Sequence, residues 1–215
     1  MEKKSPGTAA PKRTARAGAP ERIARATQRD ATISRLLAVA RAGFAEHGYA
    51  AAATEEMVHA AGVTRGALYH HFGSKEGLFR AVLKQVHAEV AERVGAAAQA
   101  EPDDWEALLA GCRAFLSAAN DPAIQQIMLI DGPAVLGWSE WRQMDEEHSL
   151  RLLRDHLDLL AGQGKLRTRR TEPLAHLLSG AMNELALWVA QPGGSSDALA
   201  EATAALEETL KGLRA

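Results

Sequence analysis

The sequence predicts an all-α protein. Three observations predict this. Aromatic residues make up only 5% of the 215 residues, and Val/Ile/Thr runs bounded by turns are scarce, which disfavours sheets. Apolar residues return at helical spacing from Ile33 to the end of the chain. Gly, Pro and Asn-Asp punctuation falls at helix-length intervals. A composition of 47% hydrophobic and 24% charged residues is that of an ordinary globular protein. No apolar run reaches the roughly 18–20 residues of a membrane span, and the start lacks the apolar core of a signal peptide. Cys112 is alone, so neither an intrachain disulfide nor a cysteine zinc cluster is available. A soluble cytoplasmic protein without membrane association is expected.

Residues 1 to about 28 are rich in Ala, Pro, Gly, Lys and Arg, with Ile23 the one large aliphatic residue after Met1. They bury too little to offset ordering entropy and read as a disordered basic arm. Ile33, Leu36, Leu37, Ala40 and Phe44 then form one stripe of a first helix, which Gly48 ends as a left-handed residue. A second helix is expected over 54–61, with Thr54 as its cap and Glu55 and Glu56 at its positive end. Gly62-Val63 makes a tight turn through a positive φ at the glycine. A third helix covers 64–70 and stops near Gly73. Ser74 caps a fourth, whose stripe is Leu78, Val82, Leu83, Val86, Val90 and Val94.

The body continues helix after helix. Trp105, Leu108, Leu109, Cys112, Phe115 and Leu116 mark one, closed by Asn120-Asp121-Pro122. Ile124, Ile127 and Met128 mark a shorter one, ended by Asp131-Gly132-Pro133. Trp141, Met144, His148, Leu152, His156, Leu159 and Leu160 mark a single long one, closed by Gly162-Gln163-Gly164. Leu174, Leu177, Leu178, Ala181, Leu185 and Trp188 mark the next, ended at Pro192-Gly193-Gly194. Leu199, Ala202, Leu206, Leu210 and Leu213 form the last, at near-heptad spacing. The Ala/Leu-rich stripes of the last two helices, with part of the long one before them, suggest a homodimer seam, Leu206 included.

Residues 54–70 have the shape of a helix-turn-helix. Met57, Val58, Ala61, Val63 and Leu68 are the interior positions. The exposed residues Thr64, Arg65, Ala67, Tyr69 and His70 suit a DNA-reading surface, Arg65 as a bidentate partner for guanine, and Thr64 and Tyr69 for phosphate or base edges. Gly66 costs on the order of 1 kcal/mol relative to Ala inside a helix, a loss that makes sense where a partner comes close to the backbone. Ser74-Lys75 places free amides and an ammonium at the start of the fourth helix, an anion site suited to phosphate. Charge agrees. Residues 1–30 carry eight Lys/Arg against three acidic residues, whereas residues 81–215 carry 12 basic against 20 acidic. A basic start before an acidic body fits a polyanion on the N-terminal side, where Arg22, Arg25 and Arg29 of the arm would reach an adjacent groove.

The stretch FAEHGYAAAATEEMVHAAGVTRGALYHHFGSKEGLFRAVL, residues 44–83, resembles the DNA-binding domain of the TetR family of transcriptional regulators. The aromatic-glycine pair before the second helix, the AAGV turn, the LYHHF run and SKEGLF all match in order and spacing. The resemblance implies a homodimer whose heads bind a palindromic double-stranded DNA operator and whose bodies bind a small-molecule effector and each other, with repression favoured. It implies an arm at 1–28, a three-helix head at 29–75 and a helical ligand-binding and dimerisation body at 76–215. By position, it implies that Tyr69, His71 and Lys75 touch DNA, that Thr54 abuts phosphate, and that Arg65, Gly66 and Ala67 face base edges. Ala53 stands where a Ser or Thr cap is common in the family, and His70 where an aromatic residue is frequent.

In the body, Trp105, Trp138, Trp141 and Trp188 gather with Phe115, Ile127, Met128 and Met144, residues suited to an apolar effector pocket as well as to a plain core. His148, Asn183 and Glu184 are the candidate polar anchors there. Nothing suggests catalysis, a cofactor or a metal. Gly137-Trp138-Ser139-Glu140-Trp141 lacks the second glycine and the strand of a nucleophile elbow. Gly162-Gln163-Gly164 lacks the rest of a dinucleotide loop. Adjacent His70 and His71 point to different sides of a helix, and Cys112 lies on an apolar stripe as a core residue. The basic run 165–170 reads as a solvated loop.

Overall fold

The first helix is longer than its apolar stripe. In the computed structural model, which describes residues 19–191 and 197–215, α1 spans Ala19–Ala51. The expected arm is therefore helical over 19–28, and its first 18 residues lie outside the described ones. Gln28, Arg29 and Asp30 are exposed. Extension of an established helix through Ala, Arg and Gln is enough, because propagation is far cheaper than nucleation. Gly48 breaks the helical path at φ 70 and ψ 166, an extended conformation that only glycine adopts readily, rather than the left-handed helical one.

The head follows with α2 (Thr54–Ala60), α3 (Arg65–Phe72) and the start of α4 (Lys75–Gln99). Thr54 is not the cap of α2. Ala53 holds that position without a side-chain bond, because the chain enters from buried Ala52 in an extended conformation. Gly62 turns at φ 63. Thr64 caps α3 by accepting from the N–H of Ala67 at 3.2 Å, so the helix begins at Arg65 and runs on to Phe72. Ser74 caps α4 by accepting from Gly77 at 2.9 Å. Leu36, Ala40 and Phe44 of α1, Met57, Val58 and Ala61 of the second helix and its turn, Leu68 of α3, and Leu78, Phe79 and Val82 of α4 close one core. That core continues without a gap along α4 through Val86 and Val90 into the body.

At the centre of the body stands α5 (Asp104–Ala119), capped by Asp103 and buried on nearly every side. It packs against α4, α9 (Ser149–Gly162), α10 (Thr171–Val189) and α11 (Ala198–Leu213). Between α5 and α9 the chain departs from expectation twice. Gly132-Pro133 does not end a helix: α6 (Pro122–Gln125) passes into a π-helical turn, Gln126–Asp131, and then into α7 (Gly132–Leu136). The proline ends the π turn. The Gly132 N–H reaches back five residues to Ile127, and the next donor in that pattern would be Pro133, which has none. The orphaned Met128 carbonyl is met instead by the Trp141 indole at 2.7 Å. A Cβ on Gly132 would stand 2.8 Å from Trp141 Cδ1, so glycine is required there.

The second departure is at His148. The single long helix expected from Trp141 to Leu160 is two, α8 (Trp138–Glu147) and α9, separated by a break at His148, whose Nδ1 lies 2.7 Å from the Met144 carbonyl. A third correction concerns α11. Its stripe of Ala202, Leu206 and Leu210 is buried in this chain's own core, so Leu206 cannot form an outward seam. Of these last two helices it is α10 that carries outward large apolar residues, with Leu177 68% and Trp188 41% exposed. The basic run 165–170 is a loop tied to the end of α11, with Leu166 paired to Arg214 and the Arg167 side chain bonded to the Arg214 carbonyl. The turn expected at Pro192-Gly193-Gly194 lies outside the described residues. Among the described residues no helix is long and apolar enough to cross a membrane, and there is no strand beyond that one bridge.

His87 of α4 is buried beside His148, ring centroids 5.8 Å apart, and neither of its nitrogens has a partner among the described residues. Burial first, and His148 second, depress its pKa from 6.5 to about 3. The unfolded chain therefore binds a proton that the folded chain refuses. Stability is complete above pH 6.5 and falls as pH drops below it, by up to about 1.4 kcal/mol per pH unit. Urea unfolding followed from about pH 7 to about pH 5 should show this loss in the wild type and a flatter profile in His87→Leu. Equal slopes would contradict the assignment.

Candidate nucleic-acid interface and body cavity

The exposed face of α3 presents Arg65, Gly66, Tyr69 and His70, with Thr64 at its N-terminal end. Arg65 is not loose. One guanidinium nitrogen lies 2.7 Å from Glu55 Oε1 of α2, another lies 3.3 Å from the Tyr69 hydroxyl, and the group sits 5.4 Å over the Tyr69 ring. The bond to Tyr69, more than Glu55, raises the Arg65 pKa, so its positive charge is secure. All three groups are solvent-exposed, and an exposed pair of this kind is weak enough to exchange for a better acceptor. Gly66 has open space where a Cβ would be, its nearest neighbour being Thr64 Oγ1 at 3.8 Å. Nothing within the fold asks for glycine there.

Around that face, Ala67 is half-buried and Thr54 stands in the first turn of α2. His70 is exposed and His71 half-buried, their rings 5.2 Å apart, and His71 Nδ1 is buried without a partner among the described residues. Lys75 lies 4.6 Å over the Tyr49 ring with Nζ 3.4 Å from the Ala50 carbonyl, its remaining protons free to donate. All nine sequence-selected positions thus lie in the α2–α3 unit or at the first residue of α4.

The body holds a cavity of about 300 Å³. Val94 and Ala98 from the end of α4, Leu108, Cys112 and Phe115 from α5, Leu150 and Leu153 from α9, and Met182 from α10 give it apolar walls. Asp145, Ser149 and Ser179 also line it, and all three are buried. Asp145 Oδ2 accepts from Arg142 at 2.6 Å and from Ser179 Oγ at 3.2 Å. Burial raises the Asp145 pKa against the opposing pull of Arg142. Burial also pushes the Cys112 thiol up to about 12, so it is a small apolar wall residue and not a nucleophile.

The ten body residues selected from sequence do not form one cluster. Phe115 alone lines the cavity. Trp138, Trp141 and Asn183 line a second cavity, of about 550 Å³, with Arg142, His176 and Glu184. Trp105 is sealed in the core under Arg214, 5.2 Å away, and Ile127 and Met128 are buried in the π turn. Met144 packs partly buried against the core, His148 faces His87, and Trp188 points outward from α10. Sequence reasoning missed Asp145, Ser149 and Ser179. Asp145 opens the run Asp145-Glu146-Glu147, which reads as a solvated acidic face, and Ser149 gains its place only from the break at His148. Among the described residues no group of three or more His, Cys, Asp or Glu is placed to hold a metal.

Head and body meet at the end of α1. The Tyr49 N–H donates to Asp131 Oδ2 of the π turn at 2.7 Å, and a Cβ on Gly48 would come within 3.2 Å of Gln126. The Tyr49 ring packs on Phe44 and Phe79 at 5.8 and 5.2 Å. Arg80 of α4 reaches both oxygens of Glu140 on α8.

A helix-turn-helix head on a helical body with its own cavity defines a DNA-binding regulator. Comparison with known proteins narrows this. Residues 36–82 match the family described as bacterial regulatory proteins, tetR family, and residues 105–213 match the tetracyclin repressor-like C-terminal domain. The crystal structure of a TetR-family transcriptional regulator from Pectobacterium atrosepticum is similar at 38% identity and a TM-score of 0.75, covering 87% of this chain and 96% of that one. The HTH-type transcriptional repressor AcnR of Corynebacterium efficiens is 28% identical over 190 residues, 82% of this chain and 90% of its own. AcnR of Corynebacterium glutamicum reaches 48% over 59 residues, 27% of this chain and 31% of its own. The chain belongs to the TetR family. It is a DNA-binding transcriptional regulator, in a family of transcription factors and not of enzymes.

The Asp131 bond gives a direct test of the head–body contact. Asp131→Ala removes a charged acceptor from a part-buried N–H and should cost about 1–3 kcal/mol in urea unfolding, with Asp131→Asn recovering part of it. An unchanged midpoint for Asp131→Ala would show that the bond contributes nothing.

Proposed function

We propose that the protein is a ligand-responsive repressor that binds a palindromic operator as a homodimer in the cytoplasm and is released by a small, largely apolar effector. The single observation that carries this is the reach of α4. Its first residue, Lys75, is one of the positions we assign to DNA, and its Val94, Gly95, Ala98 and Gln99 wall the cavity. One helix of 25 residues, about 37 Å long, therefore joins the two sites. An effector that rearranges the cavity wall moves α4 and with it the head. In a dimer the two recognition helices must match successive major grooves, roughly 34 Å apart, so a small rotation of each head destroys the match. An effector that prefers the DNA-incompetent state 100-fold supplies about 2.7 kcal/mol of release.

The head, 29–75, reads DNA, and the body, 76–215, binds effector and partner. Arg65 leaves Glu55 to contact guanine, Gly66 and Ala67 allow close approach to base edges, and Thr54, Thr64, Tyr69, His70, His71 and Lys75 hold phosphate or flanking bases. The partner protomer covers the outward face of α10, where Leu177, Gly180, Ala181 and Trp188 are exposed, with the outer side of α11 beside it.

On the operator found by footprinting the region upstream of its own gene, Arg65→Ala should relax preference at one base position per half-site, costing about 1–3 kcal/mol against the preferred base. Lys75→Ala should weaken all sequences alike and lower the salt slope by about one. Untouched base preference in Arg65→Ala would remove Arg65 from the reading surface. For the dimer, Leu177→Glu should sediment as a monomer at micromolar concentration and lose operator affinity, while a monomeric wild type would refute the assembly.

A further inference from the structure

The cavity has a polar end that the fold leaves unfinished. Ser149 is 8% exposed, lines the cavity, and its Oγ has no partner among the described residues. A buried hydroxyl without a partner costs free energy, so an occupant that satisfies it is favoured. Asp145 lines the same cavity from α8, on the other side of the break at His148, and is 4% exposed. Both of its bonds, from Arg142 and from Ser179, fall on Oδ2, so Oδ1 still has acceptor capacity. The cavity is otherwise lined by apolar residues such as Val94, Leu108, Phe115 and Met182, with Gln99, Asp155 and His156 as further polar side chains.

We infer that the cavity takes a small neutral molecule with an apolar body and one hydroxyl group, the hydroxyl donating to the Asp145 carboxylate and accepting from Ser149 Oγ. This rests on reading the cavity as the effector site. The charge of the head group follows from the surroundings. Asp145 is already neutralised by Arg142 at 2.6 Å, so an ammonium gains little there and loses its hydration in an apolar cavity. A carboxylate has no proton to donate to Asp145 and likewise loses its hydration in an apolar cavity. A methyl group leaves Ser149 unsatisfied. A hydroxyl is the smallest neutral head group that supplies both a donor and an acceptor.

Four molecules with one common body separate these cases: 2-phenylethanol, propylbenzene, 2-phenylethylamine and 3-phenylpropanoate, which carry a hydroxyl, a methyl, an ammonium and a carboxylate. Their dissociation constants are measured by calorimetric titration against the full-length protein. The alcohol is expected to bind roughly five- to tenfold more tightly than the methyl compound, with both charged compounds weaker than the alcohol. Ser149→Ala should erase most of the alcohol's advantage while leaving propylbenzene unchanged, and Ser149→Thr, which keeps the hydroxyl, should restore it. Equal binding of alcohol and methyl compound, tightest binding by either ion, or an unchanged preference in Ser149→Ala would each overturn the assignment of the head group. Cys112→Phe, which fills the cavity, tests the underlying reading separately. Loss of all binding in this variant keeps the cavity as the site even where the head-group preference fails. Undiminished binding in Cys112→Phe, or no binding of any of the four to the wild type at millimolar concentration, would overturn both.

Discussion

The N–H of Tyr49 donates to the Asp131 carboxylate across 2.7 Å, and the arrangement of the head on the body depends on this joint. Gly48 makes the joint possible. With φ 70 and no Cβ, it turns the chain out of α1 close beneath Gln126, which brings the Tyr49 N–H to the carboxylate. The same residue's ring then fills the space between Phe44 of α1 and Phe79 of α4 and supports Lys75 from below. One tyrosine thus contacts the π turn of the body, the core of the head and Lys75 at the start of α4. The π turn is ended by Pro133 and anchored by the Trp141 indole on Met128. Trp141 belongs to α8, which also carries Asp145 on the cavity wall. A packed route therefore runs from cavity to head beside α4, and the Arg80–Glu140 pair ties that helix to α8 on the way.

Much of the head was legible in the sequence because its constraints are local. The apolar positions Met57, Val58, Ala61 and Leu68 are buried, Gly62 turns with a positive φ, and Ser74 caps α4. Even the misplaced cap has a local cause. Thr54 is a good cap by type, yet Ala52 is buried and sets the chain's entry, which puts Ala53 at the cap position. The early start of α1 was missed because an apolar stripe signals where a helix is packed, not how far it extends into solvent.

The body was legible as helices and not as a site. Its apolar residues are distributed evenly enough that periodicity finds α5 and α10 but says nothing about which residues surround a void. Trp105, Ile127 and Met128 are large and apolar like pocket residues, yet they fill the core. The cavity is walled largely by residues with no distinctive sequence signal, Val94, Ala98, Gly111 and Leu153, brought together only by packing. Its polar end depends on the break at His148, which no residue pattern announces. The last two helices were both read as outward, although only α10 is, since a stripe of leucines has the same spacing whether it faces the core, as Leu206 does, or solvent, as Leu177 does.

The central claim is that two copies of this head, held by the body, recognise a defined sequence of double-stranded DNA. Selection of binding sites from a random-sequence duplex pool with the full-length protein tests it most directly, because the pool imposes no operator. The account predicts enrichment of one two-fold symmetric motif whose half-sites lie about one helical turn apart or a multiple of it, bound by at least two protomers. A pool that stays random after repeated rounds, or an enriched site without symmetry bound by a single protomer, would contradict it.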